Sequence, residues 1–243
     1  MVNISRGLEV PASLSTHEIK LYIDQVILFK NDPVNNPKPE KPVSYRNSDL
    51  LSAFDRDFYS KCYLTEMKYV NSWSMDIEHF IPQSECPELV YEWKNLFPAD
   101  HYSNMIKPRN TPTGGYLNPC EPTEDVESEI KYSLSSLGAD PHFEASNVRN
   151  RKALNTCELL ERIHNGHDEP TKNATSDLRH AIHKKYIEIL NKIIKWQAHP
   201  EGTQEKYQAK RELRDLLSRK SSFTMLCRSI PAVREYLPAD IYD

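Results

Sequence analysis

The sequence contains no long run of apolar residues, and its mean hydropathy is -0.68. Its first residues, Met1 to Arg6, include no apolar core of the kind that a secretory signal peptide carries. A helix that crosses a bilayer needs about 20 predominantly apolar residues. We therefore expect a soluble, cytoplasmic protein with no membrane partner.

Cysteines are few and scattered. The five cysteines stand singly along the chain, without the spacing of a disulfide framework. A catalytic cysteine is an alternative in principle, but single cysteines more often pack as small apolar groups. The pattern is what we expect of reduced thiols in a cytoplasm.

The chain has 243 residues, which is long enough for one large domain or two small ones with a hydrophobic core. Its net charge of -4 argues against indiscriminate binding to nucleic acid. The charge is unevenly distributed, because residues 144–228 contain 17 Lys and Arg against 11 Asp and Glu. This basic region could contact a phosphate backbone, or its charges could simply solvate helices.

Apolar residues recur at helical spacing in several stretches. Ser15 to Glu18 resembles a capping box, and the pattern behind it predicts a helix to about Lys30. A proline-rich connector follows at residues 32–43, and a second helix is predicted from Ser48. A two-stranded element is expected to begin at residues 62–64 and 69–70. Three further apolar stripes predict helices within residues 153–163, 178–194 and 207–217.

The residues that could carry chemistry are concentrated between positions 75 and 107. Hydrolysis of a phosphodiester requires a base for the water, positive charge on the phosphoryl oxygens and stabilisation of the leaving oxygen. His79 suits the base, since its ordinary pKa of about 6.5 leaves it largely neutral in a cell. Glu78 and Asn104 offer oxygen ligands to a hard divalent cation, Mg²⁺ or Mn²⁺. Asn95 is suited to holding the loop opposite His79 and orienting the ring.

This order of residues resembles the motif of the HNH, or His-Me finger, nucleases. More closely, it resembles the PtuB family of HNH nucleases from Septu and retron-linked antiphage systems. The likeness is carried by Ile-Glu-His-Phe-x-Pro-x-Ser from Ile77, Trp-x-Asn-Leu from Trp93, Asn-x-x-Lys from Asn104 and Leu-Asn-Pro from Leu117. It covers roughly residues 60 to 120 and continues more weakly over 153 to 163.

The resemblance implies a mainly α protein with a small ββα-metal nuclease unit and helical extensions at both ends. It further implies a metal-dependent endonuclease that cleaves DNA or RNA, with His79, Asn95 and Asn104 as catalytic residues and Glu78 and Asn104 as metal ligands. The implied role is the toxic effector of a phage defence system that acts with a PtuA-like ABC ATPase. A retron reverse transcriptase and its msDNA are further candidate partners.

The sequence departs from many relatives in its cysteines. Those relatives hold a structural zinc with one Cys-x-x-Cys before the catalytic histidine and another before the last asparagine, a pattern suited to a tetrahedral site. Here Thr65 stands where the partner of Cys62 would be, and residues 100–103 contain no cysteine. We therefore predict no structural zinc and expect ordinary packing to hold this region.

Basic residues near the motif and in the C-terminal half are candidate contacts to nucleic acid. The predicted contacts are Lys107, Arg109, Lys184 and Lys185. Lys107 follows Asn104 by three residues, so a helix would place both on one face. The alternative for Lys107 is a solvated lysine at a helix C-terminus, where the helix dipole favours it.

One geometric condition bears on the acid beside the histidine. In a regular strand Glu78 and His79 point to opposite faces, so both can face one phosphate only if the strand ends or bulges there. Pro82 supports an early strand end. Asp76 is a rival of Glu78 on the same face, and His101 is a further candidate ligand, although a lone histidine at a helix start is more often a surface residue.

The pattern predicts three regions: an N-terminal helix with the proline-rich connector at 1–44, the HNH unit at 45–118 and a helical region at 119–243. Two alternatives to a nuclease stay open. One is a non-catalytic scaffold that keeps the HNH fold to bind nucleic acid or the ATPase. The other is a zinc hydrolase of small substrates, for which the chain lacks a tight ligand set.

Overall fold

The computed structural model describes residues 1–42, 44–166 and 168–242. About half of the chain is helical, and two small antiparallel sheets accompany the helices. The prediction of a mainly α protein is therefore confirmed. The predicted connector at 32–43 includes Val43, which lies outside the described residues.

The regular elements of the described residues follow one another in this order: α1 (His17–Asn31), α2 (Ser48–Asp57), β1 (Asp76–His79), β2 (Leu96–Ala99), α3 (His101–Ile106), α4 (Val126–Glu129), β3 (Ile130–Ser133), β4 (His142–Ala145), α5 (Arg151–Asn165), α6 (Glu169–Ala174), α7 (Ser176–Ala198), α8 (Gln204–Leu217), α9 (Thr224–Ser229) and α10 (Pro231–Tyr236). Short 3₁₀ helices lie at Ala12–Leu14, Ser72–Ser74, Pro87–Leu89, Trp93–Asn95 and Ala239–Ile241.

The chain forms two compact units. The site unit contains Ile4–Cys62 and Tyr69–Pro112, and the C-terminal unit contains Met1–Asn3, Tyr63–Lys68 and Thr113–Asp243. The division of the sequence into regions 1–44, 45–118 and 119–243 stays a prediction about domains.

Helix α1 begins one residue later than the capping box predicted. The hydroxyl of Thr16, not of Ser15, accepts the backbone N–H of Ile19 at 3.3 Å. Both residues have a short hydroxyl side chain, and only the backbone path decides which one lies in front of the first turn. The helix ends at Asn31, close to the predicted end.

Strands β1 and β2 pair antiparallel within the site unit, with Asp76 opposite Ala99 and His79 opposite Leu96. The prediction that strands begin at residues 62–64 was wrong, because residues 63–65 form a turn. Their apolar side chains are buried all the same. An apolar stretch indicates that its side chains are buried, and side chains can be buried without an extended backbone.

The core of the site unit is aromatic. Trp93 and Leu96 are both buried. The ring of Trp93 stacks on Phe54 at a centroid distance of 5.5 Å, and the guanidinium of Arg6 lies 4.3 Å from the Trp93 ring on another side. These contacts fix the chain immediately before β2, and so fix the position of Asn95.

The C-terminal unit contains a hairpin that the sequence reasoning missed. Strands β3 and β4 pair antiparallel, and β4 packs against α5. Ile130 and Tyr132 are buried while Lys131 and Ser133 are exposed, which is the alternation expected of a half-buried strand. The signal was therefore present, but it spans only four residues.

Helix α5 spans the stripe predicted at 153–163 and ends at Gly166, whose φ of 68° suits a residue without a side chain. Helices α7 and α8 pack against each other. Their predicted apolar stripes are not wholly core, since Ile194 is 63% exposed and Tyr207 is 67% exposed. None of the described helices combines the length and apolar character needed to cross a bilayer.

Candidate active site

Helix α3 starts directly behind β2. Asp100 separates the two elements and is the N-cap of α3, because its carboxylate accepts the N–H of Ser103 at 2.8 Å. The Ser103 hydroxyl donates to the other oxygen of the same carboxylate at 2.6 Å. This double contact holds the first turn of α3 and thereby sets where Asn104 lies relative to β1.

His79 is the last residue of β1 and is buried. Its Nε2 lies 3.0 Å from the carbonyl oxygen of Val90. A carbonyl can only accept, so Nε2 carries the proton and donates it. In a neutral ring the lone pair is then on Nδ1, which is the nitrogen that could act as a base.

Nδ1 of His79 lies 3.0 Å from Nε2 of Gln83. The orientation of that amide is settled by Lys41, whose ammonium donates to Oε1 of Gln83 at 2.6 Å. An ammonium can only donate, so the amide oxygen must face Lys41 and the amide N–H must face His79. Both neighbours of the imidazole therefore favour the neutral ring with its proton on Nε2.

Burial lowers the pKa of His79 below its ordinary value, and the charges of Lys41 and Lys107 act in the same direction. The hydrogen bond to Val90 and the charge of Glu78 oppose this shift but do not reverse it. The ring is consequently neutral at physiological pH, which is the form that a general base requires.

Asn95 holds the loop opposite His79, as the sequence predicts for it. Its side-chain oxygen accepts the N–H of Ile81 at 2.7 Å, and its amide nitrogen donates to the carbonyls of Ile81 at 3.1 Å and Leu89 at 3.3 Å. Leu89 precedes Val90, whose carbonyl binds the imidazole. One buried amide thus ties together the chain on both sides of the ring.

The structure places Glu78 and Lys107 in a buried ion pair. The ammonium of Lys107 donates to Glu78 and also to the carbonyls of His79 at 3.1 Å and Phe80 at 2.8 Å. Both side chains are 4% exposed. Lys107 therefore does not present its charge to a phosphate in this conformation, and a metal ion would have to compete with that ammonium for Glu78.

Asn104 lies on the more exposed side of the motif. Its Nδ2 donates to Oδ2 of Asp76 at 3.0 Å, and Nδ1 of His101 is 2.9 Å from the same oxygen. Asp76 and Glu78 are two residues apart on β1, on the same face of a regular strand. The two residues left open as additional ligands, Asp76 and His101, thus both lie beside Asn104.

A cavity of about 260 Å³ brings the motif together. It is lined by Glu78, His79, Pro82, Gln83, Ser84, Asn104, Lys107, Pro108 and Arg109. Strand β1 ends at His79, so the regular alternation of side chains stops there. Glu78 and His79 can therefore face one space. Arg109 is exposed at the cavity, and its carbonyl accepts from the Ser84 hydroxyl at 3.2 Å. Its guanidinium makes no ion pair among the described residues.

The other two predicted phosphate contacts belong to the C-terminal unit. Lys184 and Lys185 are on α7. Lys184 is exposed, and the ammonium of Lys185 is 3.5 Å from the carboxylate of Glu188 one turn away. Their part in binding nucleic acid stays a prediction.

Sequence reasoning missed Lys41, Tyr45, Gln83 and Val90. The contacts of Lys41, Gln83 and Val90 are those given above. The ring of Tyr45 packs edge-on against the His79 ring, at a centroid distance of 5.2 Å. Gln83 lies within the motif but carries no signal of its own. Lys41 and Tyr45 come from the connector and its continuation, far from the motif along the chain, so no local spacing could have identified them.

The side chains at the cavity fit a hard cation in part. Glu78 and Asn104 line the cavity, and Asp76 contacts Asn104 without lining it. Their carboxylate and amide oxygens are the donor type that Mg²⁺ takes, and Mg²⁺ commonly uses only one or two protein carboxylates beside waters and phosphate. Within the described ranges there is no group of three or more His, Cys, Asp and Glu side chains placed to hold a metal.

The chain matches no protein-family model, no curated protein and no solved structure. Its function must be argued from the motif and from the geometry described above.

Proposed function

We propose that this protein is a metal-dependent HNH endonuclease that hydrolyses phosphodiester bonds in DNA or RNA. The observation that carries the proposal is the state of His79. Its Nε2 proton is bound by the Val90 carbonyl, its lone pair is on Nδ1, and the ring borders a cavity that Asn104 and Arg109 also line. A buried imidazole kept neutral beside cationic and amide groups suits a base for hydrolysis of an anionic ester.

In the proposed reaction Nδ1 of His79 accepts a proton from a water molecule. The water oxygen forms a new bond to phosphorus, the bond from phosphorus to the leaving sugar oxygen breaks, and that oxygen takes a proton from solvent. Asn95 acts indirectly, because it holds the loop whose Val90 carbonyl orients the ring. Arg109 binds a phosphate oxygen at the cavity edge.

Asn104, with the carboxylates of Asp76 or Glu78, would hold a divalent cation such as Mg²⁺ or Mn²⁺. When bound, that cation offsets the charge of the phosphate and of the leaving oxygen. The order of β1, β2 and α3 along the chain supports this assignment, since it is the order that a ββα-metal unit requires.

The resemblance to PtuB extends the proposal to a biological setting. We assign the protein the part of a toxic effector in a Septu or retron-type antiphage system, working with a PtuA-like ABC ATPase. The support is the motif from Ile77 to Leu117. A retron reverse transcriptase with its msDNA is a further candidate partner on the same ground.

The buried Glu78–Lys107 pair favours one alternative, a scaffold that keeps the fold without catalysis. A carboxylate already neutralised by an ammonium is a weaker metal ligand than a free one. In that case the neutral His79 would be a packing residue, and binding of nucleic acid or of the ATPase would survive its removal.

Cleavage assays separate the two functions. The purified protein, alone and with its ATPase neighbour, is incubated with plasmid DNA, single-stranded DNA and tRNA in Mg²⁺. The His79→Ala variant should lose cleavage, whereas His183→Ala should retain it. His183 is a matched control, since it also bonds a carbonyl oxygen, that of Ala139 at 3.2 Å, but belongs to the C-terminal unit. Cleavage that persists in His79→Ala would remove His79 from the mechanism.

A further inference from the structure

The lone pair of His79 is already occupied in the structure. An sp² nitrogen has one lone pair, and the Gln83 amide N–H donates to it at 3.0 Å. A water molecule that is to give its proton to Nδ1 must take the same position. Gln83 therefore has to leave Nδ1 before His79 can act as a base.

Lys41 is the group that holds Gln83 in place. Its ammonium donates to the amide oxygen at 2.6 Å and lies 5.4 Å from the centroid of the Tyr45 ring. Tyr45 in turn contacts the His79 ring. Because Lys41 is 42 residues before Gln83, this contact joins the proline-rich connector to the loop behind β1.

Lys41 and Lys107 differ in their ionic partners. No carboxylate of the described residues forms an ion pair with the ammonium of Lys41, in contrast to Lys107, which pairs with Glu78. The Lys41 side chain is exposed and so within reach of an anion, and the limited burial of its ammonium lowers its pKa. A phosphate oxygen would bind such a cation more strongly than the neutral amide of Gln83 does.

We propose that Lys41 binds a phosphate of the nucleic-acid substrate and that this contact releases Gln83 from Nδ1 of His79. Gln83 is then a positioning residue that keeps the base covered until substrate is present. The inference rests on the proposed nuclease function, because it takes the occupant of Lys41 to be the substrate. It adds Lys41 to the phosphate contacts and gives Gln83 a part in controlling the base.

Nitrogen-15 NMR of the histidine side chains tests the release directly. Protein labelled at histidine is studied in EDTA, where no cleavage takes place, and the His79 resonances are assigned by their loss in His79→Ala. In Gln83→Ala we expect the Nδ1 resonance to move away from its position in the unmodified protein, because a water molecule replaces the amide N–H as the donor to the lone pair. Lys41→Ala should move it in the same direction, since the amide is no longer oriented. Lys38→Ala is the matched control, an exposed lysine of the same connector, and should leave it unchanged.

Nucleic acid should act on the unmodified protein as these variants do. A short DNA oligonucleotide and an RNA oligonucleotide of the same sequence are added in turn, again in EDTA. Binding of either one should move the Nδ1 resonance of His79 in the direction seen with Gln83→Ala. If both oligonucleotides bind and the Nδ1 resonance of His79 stays in place, substrate does not release Gln83 and the proposal is wrong.

Kinetics give the second readout. Lys41→Ala should raise KM about tenfold with little change in kcat, as expected when one charge-assisted contact to the substrate is lost. Gln83→Ala should retain kcat, because the residue leaves the base before the reaction. A large fall in kcat for Gln83→Ala would show that the amide stays and takes part throughout, and would overturn the proposal.

The two proposals fail in different ways. If the resonance moves as described but no substrate is cleaved under any condition, the nuclease function is wrong and the contact of Gln83 with His79 still stands. If cleavage depends on His79 but the resonance does not respond to Gln83→Ala, the proposed nuclease function is supported. The proposal that Gln83 covers Nδ1 of His79 is then wrong.

Discussion

Replacing Lys107 by methionine would remove the ammonium that pairs with Glu78 inside the site unit. Both side chains are 4% exposed, so water screens the carboxylate very little. Removing one partner of a buried ion pair costs about 3 to 5 kcal/mol, because the remaining charge keeps its desolvation penalty and loses its counter-ion. Methionine retains most of the apolar stem, so the loss reports the ammonium with its ion pair and its bonds to the His79 and Phe80 carbonyls, and not the packing.

Urea unfolding followed by tryptophan fluorescence measures this loss, since Trp93 is buried in the same unit. Lys184→Met, a change at an exposed lysine, should stay within about 0.5 kcal/mol of the wild type. Adding Glu78→Gln to Lys107→Met should recover a large part of the stability. A loss below about 1 kcal/mol in Lys107→Met would refute the description of a buried, mutually dependent pair.

The same variant tests Glu78 as a metal ligand. Without the ammonium, a cation no longer competes with Lys107 for the carboxylate, and Mg²⁺ at ten times its Kd would stabilise Lys107→Met by about 1.4 kcal/mol. The double variant with Glu78→Gln should show no such gain. If Mg²⁺ leaves the stability of Lys107→Met unchanged, Glu78 is not a ligand, and the candidate carboxylate becomes Asp76.

Three further outcomes are expected. Asn95→Asp keeps the shape of the side chain but loses both donations to the Ile81 and Leu89 carbonyls, so we expect a loss of about 2 kcal/mol by urea unfolding and slower cleavage. Cleavage should fall as the pH drops through the pKa of His79, which burial places below the ordinary 6.5, and should be level above about pH 7; a profile still rising well above that pH would contradict a neutral base. Gly166→Ala should destabilise the protein by about 2 kcal/mol or more, because the φ of 68° disfavours a side chain and the new Cβ would lie 2.5 Å from the backbone nitrogen of Lys172; an unchanged melting temperature would refute this.

Part of the site could be predicted because it depends on short distances along the chain. Asp100 caps α3 through the N–H of Ser103 three residues later, and Asp is among the residues preferred at the N-cap, so the contact is predictable from local sequence. Asn95 was predicted to hold the loop opposite His79, and its bonds to Ile81 and Leu89 do so. Helix α5 follows from an apolar stripe that ends in Asn165 and Gly166.

Other features were predicted incompletely for a physical reason. The hairpin of β3 and β4 shows its alternation over only four residues, too few to outweigh the helical pattern around it. Lys107 carries the sequence signature of an exposed phosphate contact, yet the structure buries it against Glu78. An exposed and a buried lysine at this position would have the same residue type and the same spacing from Asn104. Only the path of the surrounding backbone distinguishes the two.

The order of the amino acids was enough to identify the chemical groups of this protein: a histidine beside an acid, two asparagines at fixed intervals, and helices with apolar periodicity. The tertiary structure alone decided which partner each group has. Lys41 meets Gln83 across 42 residues and Lys107 meets Glu78 across 29. Such contacts arise when distant segments pack together, and they cannot be predicted from local sequence periodicity. For this reason the protonation state of His79 and the covering of its Nδ1 became visible only in the folded chain.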